Sequence, residues 1–170
     1  MIASLSAQPG LARALGAVRS AEIGLLRAAA LDLVSIGAGD ALAVLGPEAI
    51  GVLRGATGPT SLDLQAHTTA DGGAITFLGR ADHGVVVSAH LSMLPGERPE
   101  HLRAALRIVG THGSVLVDLL RPQLDVRTAA GVTQVPFGEP GPALPPADAA
   151  EALSGIAESA RSGRRHTITW

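Results

Sequence analysis

The sequence predicts an α+β domain, a mainly antiparallel open sheet with helices packed on one face. Three observations point there. Apolar and polar residues alternate through most of the stretch from residue 62 to residue 93. Helical spacing is confined to the two ends and one short inner segment. The turns between alternating runs are short and of hairpin type, which suits antiparallel pairing and not βαβ crossovers.

Each element follows from local pattern. Pro9 to about Ser20 reads as a helix, with Leu11, Leu15 and Val18 at helical spacing and Pro9 in a first turn that tolerates it. Leu25–Ile36 is apolar, and its second half (Leu31, Leu33, Val34, Ile36) suits a strand. Asp40–Leu45 reads as a short helix that Gly46-Pro47 ends, with strands expected from Gly51 onward. Leu62, Leu64 and Ala66 alternate with Asp63, Gln65 and His67, and Asp71-Gly72-Gly73 is a hairpin signal before Ile75–Phe77. Val85, Val87, Ala89, Leu91 and Met93 alternate with Val86, Ser88, His90 and Ser92. After a polar break at 95–100, strands are expected at Ala104–Val109, Ser114–Leu120, Leu124–Thr128 and Val132–Val135. Residues 136–147 are proline-rich and read as a loop; Asp148 then caps a last helix, Ala149–Ser162, striped by Ala152, Ile156 and Ala160. The whole of 1–170 is expected to be one domain.

Composition removes several functions. Apolar residues make up 46% of the 170 and aromatics 2%, so the core is aliphatic and few rings remain to stack sugars or bases. The net charge of −2 gives no footprint for nucleic acid. All 13 basic residues are arginine, so Schiff-base chemistry and lysine acid/base roles fall away. Tyrosine and cysteine are absent too, which removes phenol donors, thiol nucleophiles and thiolate metal sites. No signal peptide or apolar run of membrane-spanning length is evident, and a cytoplasmic location is the default expectation.

Alternation assigns a surface. If Leu62, Leu64, Ala66 and the Val85–Leu91 set meet the helices, then Asp63, Gln65, His67, Ser88, His90 and Ser92 project from the opposite face. They are candidates for a self-association interface or a ligand site. His67, His90 and Asp63 invite a metal reading, but six histidines give such a pair by chance and no metal site is assigned. Asp32 and Asp40 are candidate pocket carboxylates, Asp40 reading first as a helix N-cap. Arg107 and Asp118, on adjacent expected strands, suggest a cross-strand ion pair. Ile36–Gly46 superficially suggests a dinucleotide loop, yet Leu42 stands at its third small position and the crossover is too short. Its glycines are more simply read as letting a helix approach the sheet.

Four collinear segments carry a resemblance: AVRSAEIGLLRAAAL (Ala17–Leu31), DLVSIGAGDALAVLG (Asp32–Gly46), LRIVGTHGSVLVD (Leu106–Asp118) and AEALSGIAESARSGRRHTI (Ala150–Ile168). Together they resemble the C-terminal domain of the Gfo/Idh/MocA oxidoreductases, including its strand–Gly-turn–strand signature and its "ESA-x-SGR" tail. The resemblance implies that domain's open sheet, a sugar-like ligand and assembly into oligomers. It also implies losses. The family's nucleotide-binding domain, with its Gly-rich loop and lysine, is not matched. With Asp40 aligned to the second Asp of the family's helix start, the catalytic histidine falls on Gly37, beside Ala38, and neither moves a proton. Asp32 matches the first Asp only with one residue inserted. No catalytic residue and no cofactor of its own are therefore expected, NAD(P) entering only through a separate Rossmann-domain partner. The expected role is a stand-alone, non-catalytic module for oligomerisation or small-molecule binding; the alternative is the substrate-domain subunit of a two-polypeptide NAD(P)-dependent sugar oxidoreductase.

Overall fold

The computed structural model describes residues 5, 8–97, 100–121, 123–134 and 149–170. The elements are α1 (Pro9–Arg19), β1 (Leu26–Ile36), α2 (Ala41–Thr57), β2 (Ser61–Thr68), β3 (Ala74–Ala81), β4 (Val86–Leu94), β5 (Glu100–Gly110), β6 (Gly113–Asp118), β7 (Gln123–Thr128), β8 (Gly131–Gln134), α3 (Ala150–Ser162) and β9 (His166–Thr169). The class is α+β, as alternation and turn chemistry predict.

Among the described residues the strands form one nine-stranded sheet in the order β8-β7-β6-β5-β1-β4-β3-β2-β9. Neighbours are antiparallel except β1 and β4, which run parallel with Asp32 opposite His90. The geometry follows from the chain path. β1 passes into α2 across one face, and the β2–β3–β4 meander then walks back from the edge until β4 lies against β1.

The three helices among the described residues lie on that one face: α1 over β6 and β7, α2 over β1, β4 and β3, and α3 over β2 and β9. The alternation in β2, β3 and β4 resolves as expected, with Leu62, Leu64, Ala66, Ile75, Phe77, Val87, Ala89 and Leu91 buried beneath the helices. Phe77, the largest of the fully buried side chains, lies within this aliphatic core.

Four expectations need correction. α2 does not stop at Gly46-Pro47 but continues to Thr57, so Gly51 opens no strand. Pro47 cannot supply the N–H that would bond the Ala43 carbonyl, but both residues lie on the solvent side, where water can satisfy that carbonyl. Gly46 is needed on the inner side, because a Cβ there would come within 2.5 Å of Leu153 of α3. The helical pattern is blurred because α2 is the middle helix, buried against the sheet and flanked by α1 and α3, so apolar residues surround most of it. β1 is extended from Leu26, not only in its second half. The tail after α3 adds β9, an edge strand with no counterpart among the expected elements. Arg107 and Asp118 do not pair: Arg107 is opposite Leu116, and Asp118 faces Arg121 at 3.9 Å and accepts a bond from the Leu120 N–H. The loop 136–147 and the Asp148 cap lie outside the described residues; Ala149, without a side-chain cap bond, precedes α3.

The tail signature has a structural explanation. Ser159, wholly buried on α3, accepts a hydrogen bond from the Ala66 N–H at 3.0 Å and donates one to the Arg164 carbonyl at 2.7 Å. β9 pairs with β2 only from Ser61 to Leu64. One hydroxyl therefore serves the β2 edge just past the end of β9 and fixes the turn into β9.

Candidate functional site

Among the described residues one face of the sheet is uncovered, and it carries the polar residues that alternation places there. Pairing sets them in rows across the strands. His67, Thr76, His90 and Asp32 stand side by side on β2, β3, β4 and β1. Gln65, Leu78, Ser88, Ala30 and Arg107 form the next row, and Asp63, Arg80, Val86 and Ala28 the one after. Ser92 lies between Ala74 and Val34.

The contacts in these rows are local. His90 Nδ1 and Thr76 Oγ1 are 2.9 Å apart. Asp32 Oδ2 accepts from Arg103 Nε at 2.9 Å, while its Oδ1 is buried without a hydrogen-bond partner among the described residues. Asp63 faces Arg165 at 3.7 Å, and Gln65 donates to the Gly163 carbonyl at 3.2 Å. Near the β9 side the surface dips into a groove of about 580 Å³, with Asp63, Gln65, His67, Arg80 and Arg165 around Leu78 and Val86. No cluster of three histidine, aspartate or glutamate side chains suited to a metal occurs among the described residues.

The two carboxylates proposed for a pocket are not brought together by any contact. Asp32 belongs to the open face, paired with Arg103. Asp40 is the N-cap of α2, accepting from the Ala43 N–H at 2.9 Å. The β2–β3 hairpin tip closes over the same helix end. The Ala41 N–H donates to the Gly72 carbonyl at 2.9 Å, and Gly72, at φ +69°, passes so close to Asp40 that a Cβ would collide with its carboxylate. Thr69's hydroxyl and then the Gly73 N–H hold the carboxyl of Asp71, at the tip, below its ordinary range. Gly37 and Ala38 sit in the β1–α2 connection, and His90 and His112 have Thr76 and Thr111 as partners rather than either aspartate.

A pyrophosphate binds at a helix start through free backbone N–H groups. Here Ala41 and Ala43 already donate to Gly72 and Asp40.

One cluster escaped the sequence reading. Ser35, wholly buried at the end of β1, lies 2.6 Å through its Oγ from His101 Nδ1 on β5. His101 Nε2 is 3.5 Å from Glu48 Oε2 on α2, and the Leu5 N–H donates to the same glutamate. The imidazole side chain is only 5% exposed. No spacing marks this set, since Ser35 and His101 are brought opposite each other only by the β1–β5 register beyond its irregularity at Val34/Ser35. Its burial closes it to substrate, and it ties the N-terminal segment, α2 and two strands together.

Solved structures share this architecture. A putative oxidoreductase from Thermotoga maritima matches with a TM-score of 0.80 at 18% identity, over 97% of this chain and 62% of its own. A levoglucosan dehydrogenase solved with NADH and levoglucosan matches at 0.74 and 16%, over 94% of this chain and 63% of its own. The fold is that of the Gfo/Idh/MocA C-terminal domain. A third match, at 0.69 and 16%, is an Agrobacterium radiobacter oxidoreductase solved with NAD+, L-tartaric acid and magnesium, covering 93% of this chain and 61% of its own. The chain thus spans just under two thirds of the length of these proteins. No family model matches the sequence, and no curated protein matches it significantly. Likeness to the Gfo/Idh/MocA domain at this identity is a likeness of fold.

Proposed function

We propose that this chain is a Gfo/Idh/MocA C-terminal-like module that assembles through its open sheet face, can hold a small molecule there, and transfers no hydride by itself. The observation that carries the reading is a mixed surface. Leu94 and Leu116 are 43% and 42% exposed among the polar rows of one face. Exposed leucines interspersed with hydrogen-bonding groups gain from burial against a twofold mate. The absence of an imidazole at Gly37 and Ala38, and the occupied N–H groups at the start of α2, support the lack of independent redox chemistry.

Light scattering across a concentration series tests the assembly. A dimer or larger mass is expected, and a protomer mass at high micromolar concentration would defeat it. Fluorescence titration with NADH is expected to show no binding; micromolar affinity would restore the nucleotide reading.

A second reading is favoured by the coverage of the structural matches. They are longer, and two of them were solved with NAD+ or NADH. In that reading the chain supplies the substrate domain of an NAD(P)-dependent sugar oxidoreductase, and a separate Rossmann domain supplies the cofactor. NADH binding that appears only when such a partner is added would favour it.

A further inference from the structure

We infer that the groove beside β9 is a binding site for a small organic carboxylate with an aliphatic body. This rests on reading the open face as the working surface, and it assigns one part of that face a ligand chemistry.

Charge and shape lead to it together. Although the chain is net negative, two arginines, Arg80 and Arg165, line the groove against one carboxylate, Asp63. β2 carries Asp63 between the two guanidinium groups, with Arg80 opposite it on β3 and Arg165 just before β9. Asp63 engages Arg165 alone, and at 3.7 Å that contact is long. Arg80 has no acidic partner within 4 Å among the described residues, so its planar donor fork is open to an incoming oxyanion.

The rest of the lining selects what the anion is attached to. Leu78 and Val86 present aliphatic surface between the charged groups, and Leu78 is more than half exposed. A bare inorganic anion gains nothing from that surface, whereas an alkyl or alicyclic carboxylate covers it while its head reaches Arg80. Among the described residues the His67 imidazole is the only ring that lines the groove, and no Phe, Tyr or Trp adds the broad stacking platform that favours a flat base or a sugar face.

The test is an NMR titration of the intact chain with cyclohexanecarboxylate, its neutral counterpart cyclohexanemethanol, and inorganic phosphate. Molecular mass is recorded on the same samples. Saturable shifts centred on Asp63, Arg80 and Val86 are expected for the carboxylate, with at least about tenfold weaker response to the alcohol and to phosphate. Arg80→Gln should weaken the carboxylate about tenfold at unchanged thermal stability, Arg165→Gln less, and Asp63→Asn should tighten it. Equal affinity for the alcohol, equal affinity for phosphate, or an Arg80→Gln variant that binds like the parent would each overturn the assignment. The mass keeps the two readings apart. A dimer without carboxylate binding sinks the groove alone, and a protomer that binds carboxylate sinks the assembly alone.

Discussion

On β3, Ile75, Phe77 and Ala81 lie under the helices and are at most 3% exposed, while Thr76, Leu78 and Arg80 between them face outward. Two chemistries thus share one strand, one residue apart. Beneath the helices side chains are selected for volume, since three helices and a sheet leave no room to adjust. On the outer face they are selected for charge, hydrogen bonding and scattered apolar contact. The lesson is that packing and surface chemistry are carried by alternate residues here, so substitutions on the two faces should give different phenotypes.

The sharpest test removes the largest of the fully buried side chains. Phe77→Ala is expected to destabilise by about 3–5 kcal/mol, read by urea unfolding, because the cavity cannot collapse between α2 and the sheet. A loss below about 1 kcal/mol would show that the covered face is looser than its burial implies.

Ser159→Ala comes next. It leaves the Ala66 N–H buried without an acceptor and should cost about 1–3 kcal/mol, with faster hydrogen exchange at Ala66. Unchanged exchange there would mean that another group takes over the edge.

On the outer face the same kind of change should act differently. Leu116→Ser is expected to stay within about 0.5 kcal/mol of the parent in protomer stability, since Leu116 is substantially exposed. Its effect should appear as weaker self-association in light scattering. A large stability loss without a change in mass would erase the contrast between the faces.

The smallest effect is read from the pH dependence of stability. Thr60's hydroxyl, 2.7 Å from Asp82, and then His83 hold the Asp82 carboxyl below its ordinary value. A carboxylate whose pKa is depressed on folding adds stability above its unfolded pKa, near 4, and loses it as pH falls through the lowered folded value. Asp82→Asn should therefore be slightly less stable than the parent near neutral pH and converge with it as pH falls, which flattens the acid limb of a thermal-stability profile. A variant profile that overlays the parent's at every pH would remove Asp82 from the account.

How much of this was legible in the sequence depended on whether the signal was local. β2, β3 and β4 could be read with their faces because a two-residue period survives wherever one side is covered and the other is not. α2 was cut short because its period is lost when three sides are apolar, and because Gly46-Pro47 mimics a stop where Gly46 is a packing contact. β9 is four residues long and takes its meaning from β2, far upstream. The Ser35–His101–Glu48 cluster lay beyond reach for the same reason. Its members come from β1, β5 and α2, and only the finished sheet brings them together.

β9 also bears on how the protein keeps to itself in a crowded solution. It covers Ser61–Leu64 of the eight-residue β2 strand, and Ser159 takes the Ala66 N–H a little further along. A chain truncated before His166 would turn β2 into a raw edge, a row of unpaired donors and acceptors with which the strands of other chains can register. Such a truncation should yield insoluble, β-rich aggregate rather than a smaller soluble domain. Residues 166–170 would then act as a guard against amyloid-like growth.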